Sequence, residues 1–115
     1  MKFFLMLYAD EKVGAQIPEA DMAKFMEMLN GWVDSLKKAD AFVSTSALAP
    51  TWDSRTVHVE NGELQVHDGP YAETREQFGG YFVIEAPDMD AAVGWAAKCP
   101  AAKWGSIEVR PFSRF

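Results

Sequence analysis

Most of the side chains able to do chemistry fall in one short stretch, His67-Asp68-Gly69-Pro70-Tyr71-Ala72-Glu73-Thr74-Arg75-Glu76. An imidazole beside a carboxylate is a pair suited to acid/base catalysis, because the carboxylate can orient the ring and raise a pKa already poised near neutrality. His67 and Asp68 are therefore the catalytic candidates. Adjacency works against them: successive strand residues point to opposite faces, so the two converge only if the turn bends the chain at once. Without that bend, Asp68 caps a turn and His67 is a solvated neighbour across a hairpin. Arg75, with Glu73 and Glu76 beside it on a polar loop, suits recognition of a carboxylate or phosphate, or a lid over a pocket; the alternative is a solvated loop with an internal ion pair. Tyr8 and Asp10, at the end of the first apolar run, are placed to line the same cleft as Tyr71 and Tyr81, with ordinary packing and capping as the competing account of each.

Other chemistries lack support. The chain has two histidines, His58 and His67, and a diagonal imidazole pair without a third ligand makes a weak metal site, so no metal is expected. No GxGxxG, P-loop, GxSxG or HExxH motif occurs, which leaves nucleotide-driven and hydrolase chemistry without a basis and predicts no cofactor. Seventeen acidic against eleven basic residues give a net charge of −6. With no basic run beyond Lys37-Lys38, direct nucleic-acid binding is not expected. The single cysteine, Cys99, cannot form an internal disulfide and fits a reducing cytoplasm. The run Phe3 to Ala9 is too short for a signal peptide and is followed by Asp10-Glu11-Lys12; no window approaches the ~20 apolar residues of a membrane helix. A soluble, cytoplasmic protein is expected, with residues 1–115 as one domain.

The elements that must position these residues can be read in order. Residues 2–8 are apolar at consecutive positions, as in a strand covered on both faces. Residues 9–17 read as a connection. Pro18 with Glu19 and Asp21 starts a helix, and Met22, Phe25, Met26, Leu29, Trp32, Val33 and Leu36 repeat at helical spacing up to about Ala39, a stripe expected to be core. Residues 41–48 suggest a second strand. Asn61-Gly62, flanked by Val57, Val59, Leu64 and Val66, predicts a hairpin with Glu60 opposite Glu63, Val59 opposite Leu64, His58 opposite Gln65, Val57 opposite Val66 and Thr56 opposite His67. Tyr81 to Glu85 is a strand, Asp88 caps a helix over 89–98, and Ile107 and Val109 alternate in a last strand closed by Pro111.

The plan is α+β, with one mostly antiparallel sheet, two helices on one face and an inserted β-hairpin. Two helices cover one side, while Phe3 to Tyr8 and Tyr81 to Ile84 read as covered on both. A second copy of the chain is the economical cover for the other side.

The stretch Asp68-Gly69-Pro70-Tyr71-Ala72-Glu73-Thr74-Arg75-Glu76-Gln77-Phe78-Gly79-Gly80-Tyr81 closely resembles the signature of the YCII-related family, in its DGPF subgroup. Met1 to Tyr8, Pro87-Asp88-Met89-Asp90, Trp95-Ala96-Ala97, Cys99-Pro100 and Gly105 to Pro111 support it along the whole chain. The resemblance implies a ferredoxin-like fold that dimerises sheet to sheet, as a dimeric α+β barrel, and it implies no particular reaction. The broader family's His and Asp pair, with its early His, cannot be carried over, since no histidine precedes residue 58. At Trp104 the subgroup implies His or Tyr, so this chain would have a more apolar wall there. The expectation is a homodimer binding a small organic, anionic molecule in a cleft, with cofactor-free acid/base chemistry. The alternative is a non-catalytic accessory or regulatory protein linked to extracytoplasmic-function sigma factor signalling.

Overall fold

Alternation in β1 (Lys2–Ala9) decides the layout: Phe3 and Leu5 are fully buried on one face of the strand, while Phe4 and Tyr8 are half-buried on the other. The computed structural model describes residues 1–114. After β1 come α1 (Glu11–Gly14), α2 (Glu19–Lys38), β2 (Phe42–Ala47), a 3-10 turn (Thr51–Asp53), β3 (Arg55–Glu60) and β4 (Glu63–Asp68). Then follow β5 (Gln77–Glu85), α3 (Met89–Lys98), a second 3-10 turn (Pro100–Lys103) and β6 (Ser106–Pro111).

Four strands form an open antiparallel sheet in the order β2-β5-β1-β6, which with helices after β1 and β5 is a ferredoxin-like α+β fold. The helices pack on one face. Trp32 and Leu36 of α2 and Ala92 and Ala96 of α3 meet Phe3, Leu5, Phe82 and Ile84 in one cluster. The Trp32 ring stands edge-on to Phe82 at 4.8 Å, and its indole N–H donates to the Trp95 carbonyl at 3.0 Å, so the one polar atom of that side chain is satisfied. Acids in the first turn and Lys37 and Lys38 in the last complement the dipole of α2, and Asp88 caps α3 by accepting from the Ala91 N–H at 2.8 Å.

Among the described residues, the opposite face carries no helix. There Phe4 lies 5.2 Å from Tyr81, 6.2 Å from Phe78 and 6.2 Å from Phe112, and Tyr8 lies 5.6 Å from Phe78. These rings cover Met6 and Val83, both buried. The pairing of β1 with β6 puts Ser106, Glu108 and Arg110 on the same face at its margin.

The inserted hairpin β3–β4 has the expected register at every pair, from Thr56 opposite His67 to Glu60 opposite Glu63. Positive φ at both Asn61 and Gly62 identifies the type of turn that matches strand twist. It is a separate two-stranded sheet.

Three expectations need correcting. Residues 9–17 are more than a connection: Asp10 accepts from the backbone N–H groups of Lys12 and Val13 and starts the short helix α1. The strand expected to begin at Tyr81 begins at Gln77, because β1 pairs with it across a bulge, Leu7 opposite Gly80 and Tyr8 opposite Phe78, which absorbs Gly79. The apolar stripe of α2 is core only toward its C-terminal end. Met22 and Met26 are 37% and 43% exposed, and Phe25 and Leu29 are only part-covered.

Candidate functional site

The half of α2 that leaves the core makes a cavity. Between its N-terminal turns and the sheet lies a space of about 860 Å³, within the usual range for small-molecule sites. Met22, Phe25, Met26 and Leu29 of α2 form one wall, Leu7, Gly80 and Phe82 the sheet side, Val13 and Ile17 one end, and Ala101 with Trp104 another. Trp104 meets Phe25 edge-on at 6.1 Å, so the wall opposite the sheet is aromatic and thioether. Thioethers are deformable, which suits an apolar body of irregular shape.

Polar groups gather at the mouth: Asp10, Glu11, Arg75, Glu76, Gln77, Thr45 and Ser46. Most are committed within the protein. The Asp10 carboxylate caps α1, and Glu11 accepts from the Thr51 N–H and hydroxyl, each at 2.7 Å. Gln77 accepts from the Glu11 N–H at 2.9 Å and donates to the Thr74 carbonyl at 2.5 Å. Glu76 accepts from the Ser106 hydroxyl at 2.8 Å and Thr45 donates to the Tyr81 carbonyl at 2.8 Å. Arg75 makes no hydrogen bond or ion pair among the described residues.

A second, more polar cavity of about 660 Å³ lies against the base of the hairpin, lined by Trp52, His67, Asp68, Tyr71, Glu73 and Thr74 among others. Glu11 and Gln77 line both spaces and form the partition between them. The nine residues singled out by sequence thus separate into two groups. Tyr8, Asp10, Arg75, Tyr81 and Trp104 border the larger cavity, and His67, Asp68, Tyr71 and Glu73 the smaller. The rings of Tyr8 and Tyr81 belong to the aromatic cluster on the helix-free face.

His67 and Asp68 are not bonded to each other. The imidazole Nε2 lies 3.2 Å from the Pro70 carbonyl, while the Asp68 carboxylate pairs with Arg55 at 3.2 Å directly across the ribbon. The turn thus leaves the two side chains facing different partners, the imidazole toward the Pro70 carbonyl and the carboxylate toward Arg55. Tyr71 is 89% exposed. Among the described residues no group of three or more His, Cys, Asp or Glu is gathered as a metal site would require. The thiol of Cys99, buried in the core, is pushed up by burial, with a hydrogen bond from the Ala101 backbone pulling the other way.

Sequence reasoning missed Glu11 and Gln77 as the partition, and the α2 residues as a cavity wall. A signal existed for the wall: the N-terminal part of the stripe is rich in Met, and the C-terminal part holds Trp32, Val33 and Leu36. For Glu11 there was none, since its partner Thr51 is forty residues away.

A family model described as the YCII-related domain matches residues 1–115. An uncharacterized protein of Rhizobium meliloti (strain 1021) is 30% identical over 117 residues, an alignment spanning 100% of this chain and 94% of the relative. No helix among the described residues is long and apolar enough to cross a membrane.

Proposed function

The chain belongs to the YCII-related family, and we propose that it is a cytoplasmic homodimer, of the DGPF type, that binds a small amphipathic anion in the larger cavity. One observation carries this reading: α2 is packed on the sheet through Trp32 and Leu36, with Leu29 against the same core, but stands away from it at Met22 to Met26, leaving an apolar space with a polar mouth. Because the other acidic and amide groups at that mouth are engaged internally, recognition of a charged end falls to Arg75. A guanidinium there selects a carboxylate, sulfonate or phosphate. Residues 1–115 act as one domain in this reading. Cofactor-free acid/base chemistry would fall to His67 on the smaller cavity, with Tyr71 and Glu73 as neighbours and without Asp68 as its orienting partner.

The homodimer reading is supported by the helix-free face. Its centre is aromatic and its margin carries Ser106 and the Glu108–Arg110 ion pair at 2.8 Å, an apolar centre with a polar rim. The second reading, a non-catalytic accessory module tied to extracytoplasmic-function sigma factor signalling, draws on the exposed apolar face of the hairpin.

A thermal-shift screen of small organic acids against wild type and Arg75→Ala separates the readings. Binding predicts hits whose shift falls with the substitution by the worth of a charged hydrogen bond, about 1.5–3 kcal/mol. Hits indifferent to Arg75→Ala remove the anion from the proposal, and no hits at all favour the accessory module.

A further inference from the structure

We infer that the β3–β4 hairpin is an arm whose apolar face packs on a second copy of the chain, extending the interface beyond the sheet; this rests on the homodimer proposed above. Val57, Val59, Leu64 and Val66 share one face of the ribbon and are 62%, 61%, 66% and 50% exposed. A two-stranded ribbon is at best marginally stable in water on its own. The bonds that fix this one lie at its base: Gly69 N–H to the Ser54 carbonyl at 2.8 Å, the Thr56 hydroxyl to the Gly69 carbonyl at 2.9 Å, and Arg55 to Asp68 at 3.2 Å. Beyond them, the ribbon needs its apolar side covered from outside.

Size and shape identify the cover. Strands about 4.8 Å apart and roughly six residues long give the four-stranded sheet a face of roughly 400 Å². A stable interface takes about 800 Å² from each partner. The arm, two strands of six residues, adds about half as much again, to roughly 600 Å², and so supplies about half of what the sheet face alone lacks. The chain is also thin, 49 × 42 × 18 Å, with a radius of gyration of 16.2 Å. A compact chain of this length has about 13 Å. A second copy laid on the helix-free face doubles the thin dimension and brings a projecting arm alongside it. Two copies at −6 repel, and the arm's apolar face carries as charged side chains only Arg55 and Asp68 at its base, which pair with each other at 3.2 Å, so it adds no net charge to the contact.

The test is the dimer dissociation constant of the full chain, measured by sedimentation on dilution, for wild type and for Val59→Thr with Leu64→Thr. Threonine keeps strand propensity and both positions are exposed in the single chain, so the variant should fold. The expected result is a dimer weakened tenfold or more, because apolar side chains lose their burial. A complementary readout is a polarity-sensitive dye on Val59→Cys, whose emission should shift to the blue as concentration rises through the dimer constant. A wild-type dimer whose constant the variant leaves unchanged, with a dye that stays in water, overturns the arm and leaves the dimer standing. A wild-type chain that stays monomeric overturns both. Capture of a different protein through the arm, with self-association unaffected, would assign the face to that partner instead.

Discussion

A Cβ built on Gly105 would lie 1.9 Å from the carbonyl oxygen of Tyr8 and 2.9 Å from its carbonyl carbon. The last strand therefore enters the sheet against bare backbone of the first, and this close approach sets Trp104, one residue earlier, on the wall of the larger cavity. Only glycine permits it, on steric grounds alone.

Gly105→Ala should accordingly destabilise the protein by about 2 kcal/mol or more, as overpacking against backbone does. Urea denaturation measures it. A variant within about 0.5 kcal/mol of wild type would show that the strand shifts aside freely.

Glu11 ties α1 to the 3-10 turn at Thr51 through two hydrogen bonds of 2.7 Å, and its N–H ties it to Gln77 of β5. Glu11→Ala should cost about 1–2 kcal/mol, the range for charged hydrogen bonds reduced for partial exposure, and Glu11→Gln less, since it can still accept one bond. Equal stability of all three proteins would remove the staple from the account.

How much was legible before the structure differs by element. The hairpin register followed from Asn61-Gly62 because a two-residue turn leaves no freedom, and α3 followed from Asp88 and Pro100. The expected cleft residues did not share one cavity because Glu11 and Gln77 divide the space, through contacts to residues far apart in sequence. The lifted end of α2 was hidden for a related reason. Helical spacing shows that Met22, Phe25 and Met26 share a face with Trp32 and Leu36, but not how closely the sheet approaches that face along its length.

Cys99 should resist thiol reagents in the folded protein, since burial favours the neutral thiol and excludes the reagent. With the folded value raised, the neutral thiol's contribution to stability is fully present below the ordinary thiol value and is lost as pH rises from there through the raised folded value. Native protein should react with Ellman's reagent only at the rate of unfolding; rapid stoichiometric reaction would contradict its placement.

The helix-free face predicts a sedimenting mass of about 26 kDa at micromolar concentration, twice the 12.8 kDa chain. Phe112 is 46% exposed at the edge of the aromatic cluster, so Phe112→Glu should leave the monomer folded and dissociate the dimer, an unpaired buried charge costing several kcal/mol. Unchanged association of this variant would move the interface elsewhere.

An apolar site under α2 with its charged end at Arg75 should bind 8-anilinonaphthalene-1-sulfonate, an apolar body bearing a sulfonate, which can be titrated against wild type, Met26→Glu and Arg75→Ala. The expected result is one bright site per chain in wild type, loss of that site in Met26→Glu, where a like charge enters the wall, and about tenfold or greater weakening in Arg75→Ala, from the lost charged hydrogen bond. Binding that neither substitution alters, or no binding to the wild-type protein, would contradict it.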